Sequence, residues 1–227
     1  MRLLNNLRKE AGALWILALM LLAGALNAAG FLQFGQTLSH MTGNLTKMGL
    51  NIELGKPLWL MVSVLLSFLL GATLSGYAFP RHSAGQWRRS GLVLSACGAA
   101  LLLGGTLSLP DWAAVPVTAL VLGAQNGLAM RYRGILARTT HITGHLTDLG
   151  AALGRMVQSR RFVGEDARAF LFHLSGLLAF LLGVALMGAY AARAGSQPDN
   201  SPVAVCGFYY LLFGLLTLAG TWLSGRR

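Results

Sequence analysis

The stretch SHMTGNLTKMGLNI (residues 39–52) lies between two long apolar segments, and THITGHLTDLGAAL (residues 140–153) repeats its pattern about a hundred residues later. His40, Thr42, Gly43, Leu45, Thr46 and Gly49 recur at a constant offset as His141, Thr143, Gly144, Leu146, Thr147 and Gly150. Three further matches occur in the same order. GALN (24–27) returns as GAQN (123–126), LLSFLLGATLSG (65–76) as LLAFLLGVALMG (177–188), and CGAALLLGG (97–105) as CGFYYLLFG (206–214). Any one match is expected by chance in a Leu-Ala-Gly alphabet; four in the same order are not. The chain reads as two copies of one unit, residues 1–110 and 111–227, joined near Pro110. They differ mainly by extra residues at 155–166, a basic loop.

Composition gives the setting. Of 227 residues, 55% are hydrophobic and only 11% charged, against about 25% charged in an ordinary soluble domain. Mean hydropathy is +0.59. Uninterrupted apolar runs of about 20 residues mark membrane-crossing helices. Six such spans are predicted: 14–34, 57–79, 91–109, 112–130, 169–190 and 203–223. The basic, then apolar, then small-residue order of the first 30 residues also fits a signal peptide. The recurrence of GALN as GAQN argues for a retained helix instead. Cys97 and Cys206 lie inside apolar segments and suggest neither a disulfide framework nor a metal-ligand spacing.

The net charge of +11 is a topology signal. Six spans put fifteen Lys and Arg residues on one side and only Lys47, Lys56 and Arg193 on the other. Positive residues mark the cytoplasmic face, so both termini are predicted to be cytoplasmic. Contact between the basic loops and anionic lipids follows. The charge is scattered over separate loops without a reading motif, which excludes a nucleic-acid role. Three spans per unit is an odd number, so the second copy enters the membrane inverted, as in many transporters. The predicted fold is therefore an all-α membrane protein with six transmembrane helices in two inverted-topology three-helix repeats. Each repeat carries a short re-entrant or interfacial helix after its first span. Small residues four apart (Gly71 and Ser75, Ala72 and Gly76, Gly188 and Ala192) predict close helix packing within the chain; a homo-oligomer stays open.

The doubled motif follows a polar break and then carries apolar residues at helical spacing. Thr42 and Gly43, like Thr143 and Gly144, fall at a helix N-terminus. There threonine can cap amides, glycine lets a partner approach, and the dipole favours an anionic or electron-rich group. Re-entrant motifs from opposite faces would meet near the midplane and bring Lys47 to Asp148. Interfacial ones would stay apart. His141, His145 and Asp148 at i, i+4, i+7 suit a transition metal, but His40, Asn44 and Lys47 replace them in the first copy, and lysine opposes a cation. No metal or cofactor is predicted. His173 reads as a helix-end or cavity histidine. No catalytic motif appears, so an intramembrane enzyme ranks below the other readings.

The TGNL after a first span, the GAQN and the later ITGHLTDLG resemble the YoaK-like family of bacterial membrane proteins, a domain of unknown function covering nearly the whole chain. The resemblance implies a multi-spanning bacterial inner-membrane protein and no activity. The leading expectation is movement of a small solute or ion. Asn27, His40, Thr42, Gly43, Asn44, Thr46, Lys47, Gln125, Asn126, His141, Thr143, Gly144, His145, Thr147 and Asp148 are the pathway candidates. Intramembrane polar groups are costly and default to function. The alternative is a non-transporting scaffold or partner subunit that docks through residues 155–168.

Overall fold

The structure, a computed structural model, describes all residues except 1, 56, 80–85, 129, 133–134, 195–200 and 225–227. Lys56, Arg81, Arg133, Arg226 and Arg227 of the charge count therefore lie outside the described residues. The described chain forms eight helices and one short ribbon. In order these are α1 (Arg2–Phe34), α2 (Met41–Glu53), α3 (Trp59–Ala78), α4 (Gln86–Thr106), α5 (Asp111–Gly127), β1 (Met130–Tyr132), β2 (Ile135–Ala137), α6 (Ile142–Ser159), α7 (Glu165–Ala194) and α8 (Pro202–Ser224).

Five of these helices are long and apolar enough to cross a membrane: α1 from Glu10 onward, α3, α4, α7 and α8 up to Thr221. Their outer faces are leucine-rich and exposed, as at Leu66, Leu69, Leu70 and Leu74 on α3 and Leu178, Leu181, Leu182 and Leu186 on α7. Lipid is the solvent those faces suit. The chain is a membrane protein in contact with a bilayer.

The end of the fourth predicted span, 112–130, needs correction. α5 stops at Gly127 after 17 residues, so it falls outside that group of five. Beyond it the chain leaves helical geometry, and Met130 pairs antiparallel with Ala137 in a ribbon that the sequence did not suggest. Arginines at 131, 133 and 138 break the apolar run there, which removes the reason to prolong a buried helix.

Glycine positions decide which helices touch. A methyl at Gly24 (α1) would collide with the Phe180 carbonyl of α7, and one at the matching Gly123 (α5) with the Phe68 carbonyl of α3. Gly183 (α7) faces the Leu21 carbonyl and Gly71 (α3) that of Leu120 in the same way. So α1 packs on α7 and α5 on α3, each copy's first long helix against the second long helix of the other. α4 and α8 pair directly: Gly98 abuts the Gly207 carbonyl and Gly207 that of Gly98. Backbone-to-backbone approach of this kind is the main packing resource in lipid.

Ser75 joins it by donating its hydroxyl to the Ala124 carbonyl at 2.6 Å. The packing predicted at Gly76 and Gly188 is absent, because both face open space. One buried polar knot ties the centre together. Gln125 Nε2 donates to the Leu19 carbonyl (2.7 Å) and to Thr139 Oγ1 (2.9 Å), while Tyr210 of α8 donates its hydroxyl to Gln125 Oε1.

Candidate functional site

The two copies build matching approaches to one place. After Phe34 the chain folds back along α1, and the Ser39 hydroxyl and amide donate to Asn27 Oδ1 at 2.9 and 3.4 Å. The matching Thr140 amide donates to Asn126 Oδ1 at 3.3 Å. Asn27 precedes the end of α1 by seven residues, so at 1.5 Å per residue this loop returns about 10 Å along α1. So α2 starts beside the interior of α1, whereas Asn126 is the next-to-last residue of α5 and α6 starts beside that helix's end.

His40 and His141 occupy the N-cap positions, with φ/ψ of −89°/71° and −88°/63°, and neither side chain caps its helix. Their rings fold over Gly43 and Gly144: an added Cβ would lie 2.9 Å from His40 Nε2 in one copy and 2.6 Å from His141 Cε1 in the other. The glycine of each Thr-Gly pair makes room for the histidine ring three residues earlier. The threonines do not cap. Thr42 and Thr143 stand inside the first turn, and their carbonyls accept the hydroxyls of Thr46 and Thr147 at 2.9 Å. The amides of Thr42, Gly43, Thr143 and Gly144 have no hydrogen-bond partner among the described residues, as expected for the first turn of an uncapped helix.

Both helix starts open on one cavity of about 690 Å³. Asn27, His40 and Thr42 line it from the first copy, Asn126, His141 and Thr143 from the second, with Arg138 between them. Phe68 and Phe180, themselves equivalent, complete the lining. Among the described residues no carboxylate lines this cavity.

The other candidates lie elsewhere. Asn44 is buried and donates to the Thr37 carbonyl at 3.4 Å. Gln125 is spent in the central knot and is 1% exposed, so it faces no cavity. Thr46 and Thr147 are exposed outside it. The predicted approach of Lys47 to Asp148 does not occur; no ion pair joins them among the described residues. Each sits five residues after the cavity threonine, about 140° around its helix, and so points away. Asp148 lies instead 3.9 Å from His173 Nε2.

That contact belongs to a second cavity of about 530 Å³ between α6 and α7, which shares Arg138 and His141 with the first. Here His145 Nδ1 and His173 Nδ1 stand 2.9 Å apart, both rings buried. Burial, then the neighbouring His173, hold His145 down to about 4, and it is neutral near pH 7. His141, His145 and Asp148 do not converge as a ligand face. Among the described residues no group of three His, Cys, Asp or Glu side chains is disposed to hold a metal.

One residue escaped sequence reasoning: Tyr210 carries no signal beyond its place in an apolar helix. His173, read as a helix-end or cavity histidine, lines the second cavity; it and His145 stand where the first copy has Met61 and Asn44. A family model described as "Protein of unknown function (DUF1275)" matches residues 15–221, in agreement with the YoaK-like resemblance. No curated protein and no solved structure matches the chain.

Proposed function

Because the chain belongs to the DUF1275 family of proteins of unknown function, whose description carries no activity, we propose a function from the geometry of the cavity. The protein is a six-span inner-membrane transporter or channel for a small anion, built from inverted repeats at residues 1–110 and 111–227. One observation carries this reading: equivalent helix N-termini from the two copies line a single cavity. Two-fold reciprocity of the glycine contacts supports the inversion. α5, at about 26 Å, falls short of a hydrocarbon core of about 30 Å. The ribbon that follows supplies the remaining depth, which is tolerated where backbone lines a cavity.

The solute class follows from charge. The unpartnered amides of Thr42 and Thr143, two helix dipoles, Arg138 and two histidines line the space, with no carboxylate among its described lining residues. Such a site favours a negative group. The loop that folds back along α1 supports a re-entrant motif over an interfacial one in the first copy. The Lys and Arg distribution supports cytoplasmic termini in a bacterial inner membrane.

Vesicles containing the purified protein and loaded with chloride, nitrate or inorganic phosphate test the proposal. At least one anion should leave faster than from protein-free vesicles, and Arg138→Gln should slow it about tenfold. Equal release of sodium or glycerol sinks the anion assignment. No release of any solute, with a partner protein retained through residues 155–168, favours the scaffold.

A further inference from the structure

We propose that His145, His173 and Asp148 form a proton-binding site that couples solute movement to the uptake of one proton. The proposal rests on the pathway reading above and adds an energy source to it.

The geometry points to where the proton goes. Two ring nitrogens 2.9 Å apart share one hydrogen, so one donates and the other accepts. The tautomer with His173 Nδ1 as donor is the proton-accepting one: its Nε2 keeps a lone pair 3.9 Å from the Asp148 carboxylate. Lone pair and carboxylate repel. A proton bound at Nε2 converts that repulsion into an ion pair. Asp148 is 62% exposed while His173 is almost fully enclosed, so the proton enters along the Asp148 side.

The surroundings leave that site its role. From α6, His141, His145, Asp148 and Arg155 line the cavity, and Arg138 lines it from the preceding loop. Arg155 is held by Asp166 of α7 at 2.6 Å. α1 brings Met20 against Gly176, one turn beyond His173. No charged side chain of α1 or α8 lines the cavity among the described residues.

Coupling follows because Arg138 and His141 line both cavities. A positive charge gained at His173 strengthens the shared wall for an anion, and the anion raises proton affinity by the same factor. The first copy has Asn44, Lys47 and Met61 at the equivalent positions, so only one side of the pathway carries the site.

The test uses the full protein in vesicles with a pH-sensitive dye in the lumen and an inward gradient of chloride, nitrate or phosphate. Wild type should acidify the lumen in step with anion entry. His173→Gln and Asp148→Asn should lose about tenfold of the acidification. Asp148 is exposed, so its variant keeps the fold. ¹⁵N spectra of histidine-labelled protein in the same vesicles should show His173 Nε2 gaining a proton as pH falls, at lower pH in Asp148→Asn. Anion entry without acidification, equal in all three proteins, overturns the coupling and leaves the pathway standing. No anion entry in wild type overturns the pathway reading and the coupling with it. A His173 that never titrates overturns the proton site whatever the flux.

Discussion

Replacing Gly24 or Gly123 with alanine tests the crossed packing of the two copies. A methyl at Gly24 meets the Phe180 carbonyl oxygen head-on, with its carbon and Cα at 2.9 and 3.1 Å; at Gly123 the corresponding Phe68 atoms both lie at 2.8 Å. Carbon atoms prefer about 3.5–4.0 Å, so each helix pair must separate by several tenths of an ångström or more. The obstacle is backbone and cannot rotate aside. Overpacking of this kind costs about 1–3 kcal/mol, a fall of roughly 3–10 °C in Tm for a chain of this size. The sites sit in different helix pairs, so the double variant should lose about the sum.

Gly76→Ala and Gly188→Ala are the controls: both face open space within helices, and removing a helical glycine should leave Tm level or raise it slightly. Thermal scans of the purified protein in one detergent give all five values. The reasoning fails if Gly24→Ala and Gly123→Ala behave like Gly76→Ala, or if only one of the equivalent pair destabilises.

Gly43→Ala and Gly144→Ala displace a histidine ring that can swing, at a cost of about 0.5–1.5 kcal/mol. Tm should hold while anion flux changes several-fold, and a large Tm loss with normal flux contradicts the ring's place at the cavity. Tyr210→Phe leaves Gln125 Oε1 buried without its donor and should cost about 1–3 kcal/mol, read as a drop in Tm; an unchanged Tm removes the central knot from the stability account. His145 has a folded-state pKa near 4, below its ordinary value of 6.5. The unfolded chain therefore binds the proton first, and stability should fall as pH drops from 6.5 towards 4. His145→Gln should flatten that part of a Tm-against-pH curve, and an equally steep curve in the variant refutes it.

Internal comparison exposed what the two copies share and hid what belongs to one. The Thr-Gly motif, Asn27 with Asn126 and Gly24 with Gly123 stood out because both halves need the same backbone approach. Crossed pairing of α1 with α7 was not visible, since a glycine shows that something comes close and not what. His145 and His173 lie 28 residues apart in one copy only, where repetition is silent. Lys47 and Asp148 misled for a geometric reason. Equivalent sequence positions share a helical angle, and theirs turns both away from the cavity that their neighbours face.

The crossed packing also bears on how the chain is made. Synthesis runs from the N-terminus, and α1 reaches the membrane while its partner α7 is still more than a hundred residues from being translated. Until then the groove at Gly24 has only lipid to fill it. A ribosome that stops after residue 110 leaves Gly24 and Gly71 both unmated. Neither half covers these glycines by itself. The two halves expressed as separate polypeptides should still find each other, because each carries the surface that the other lacks.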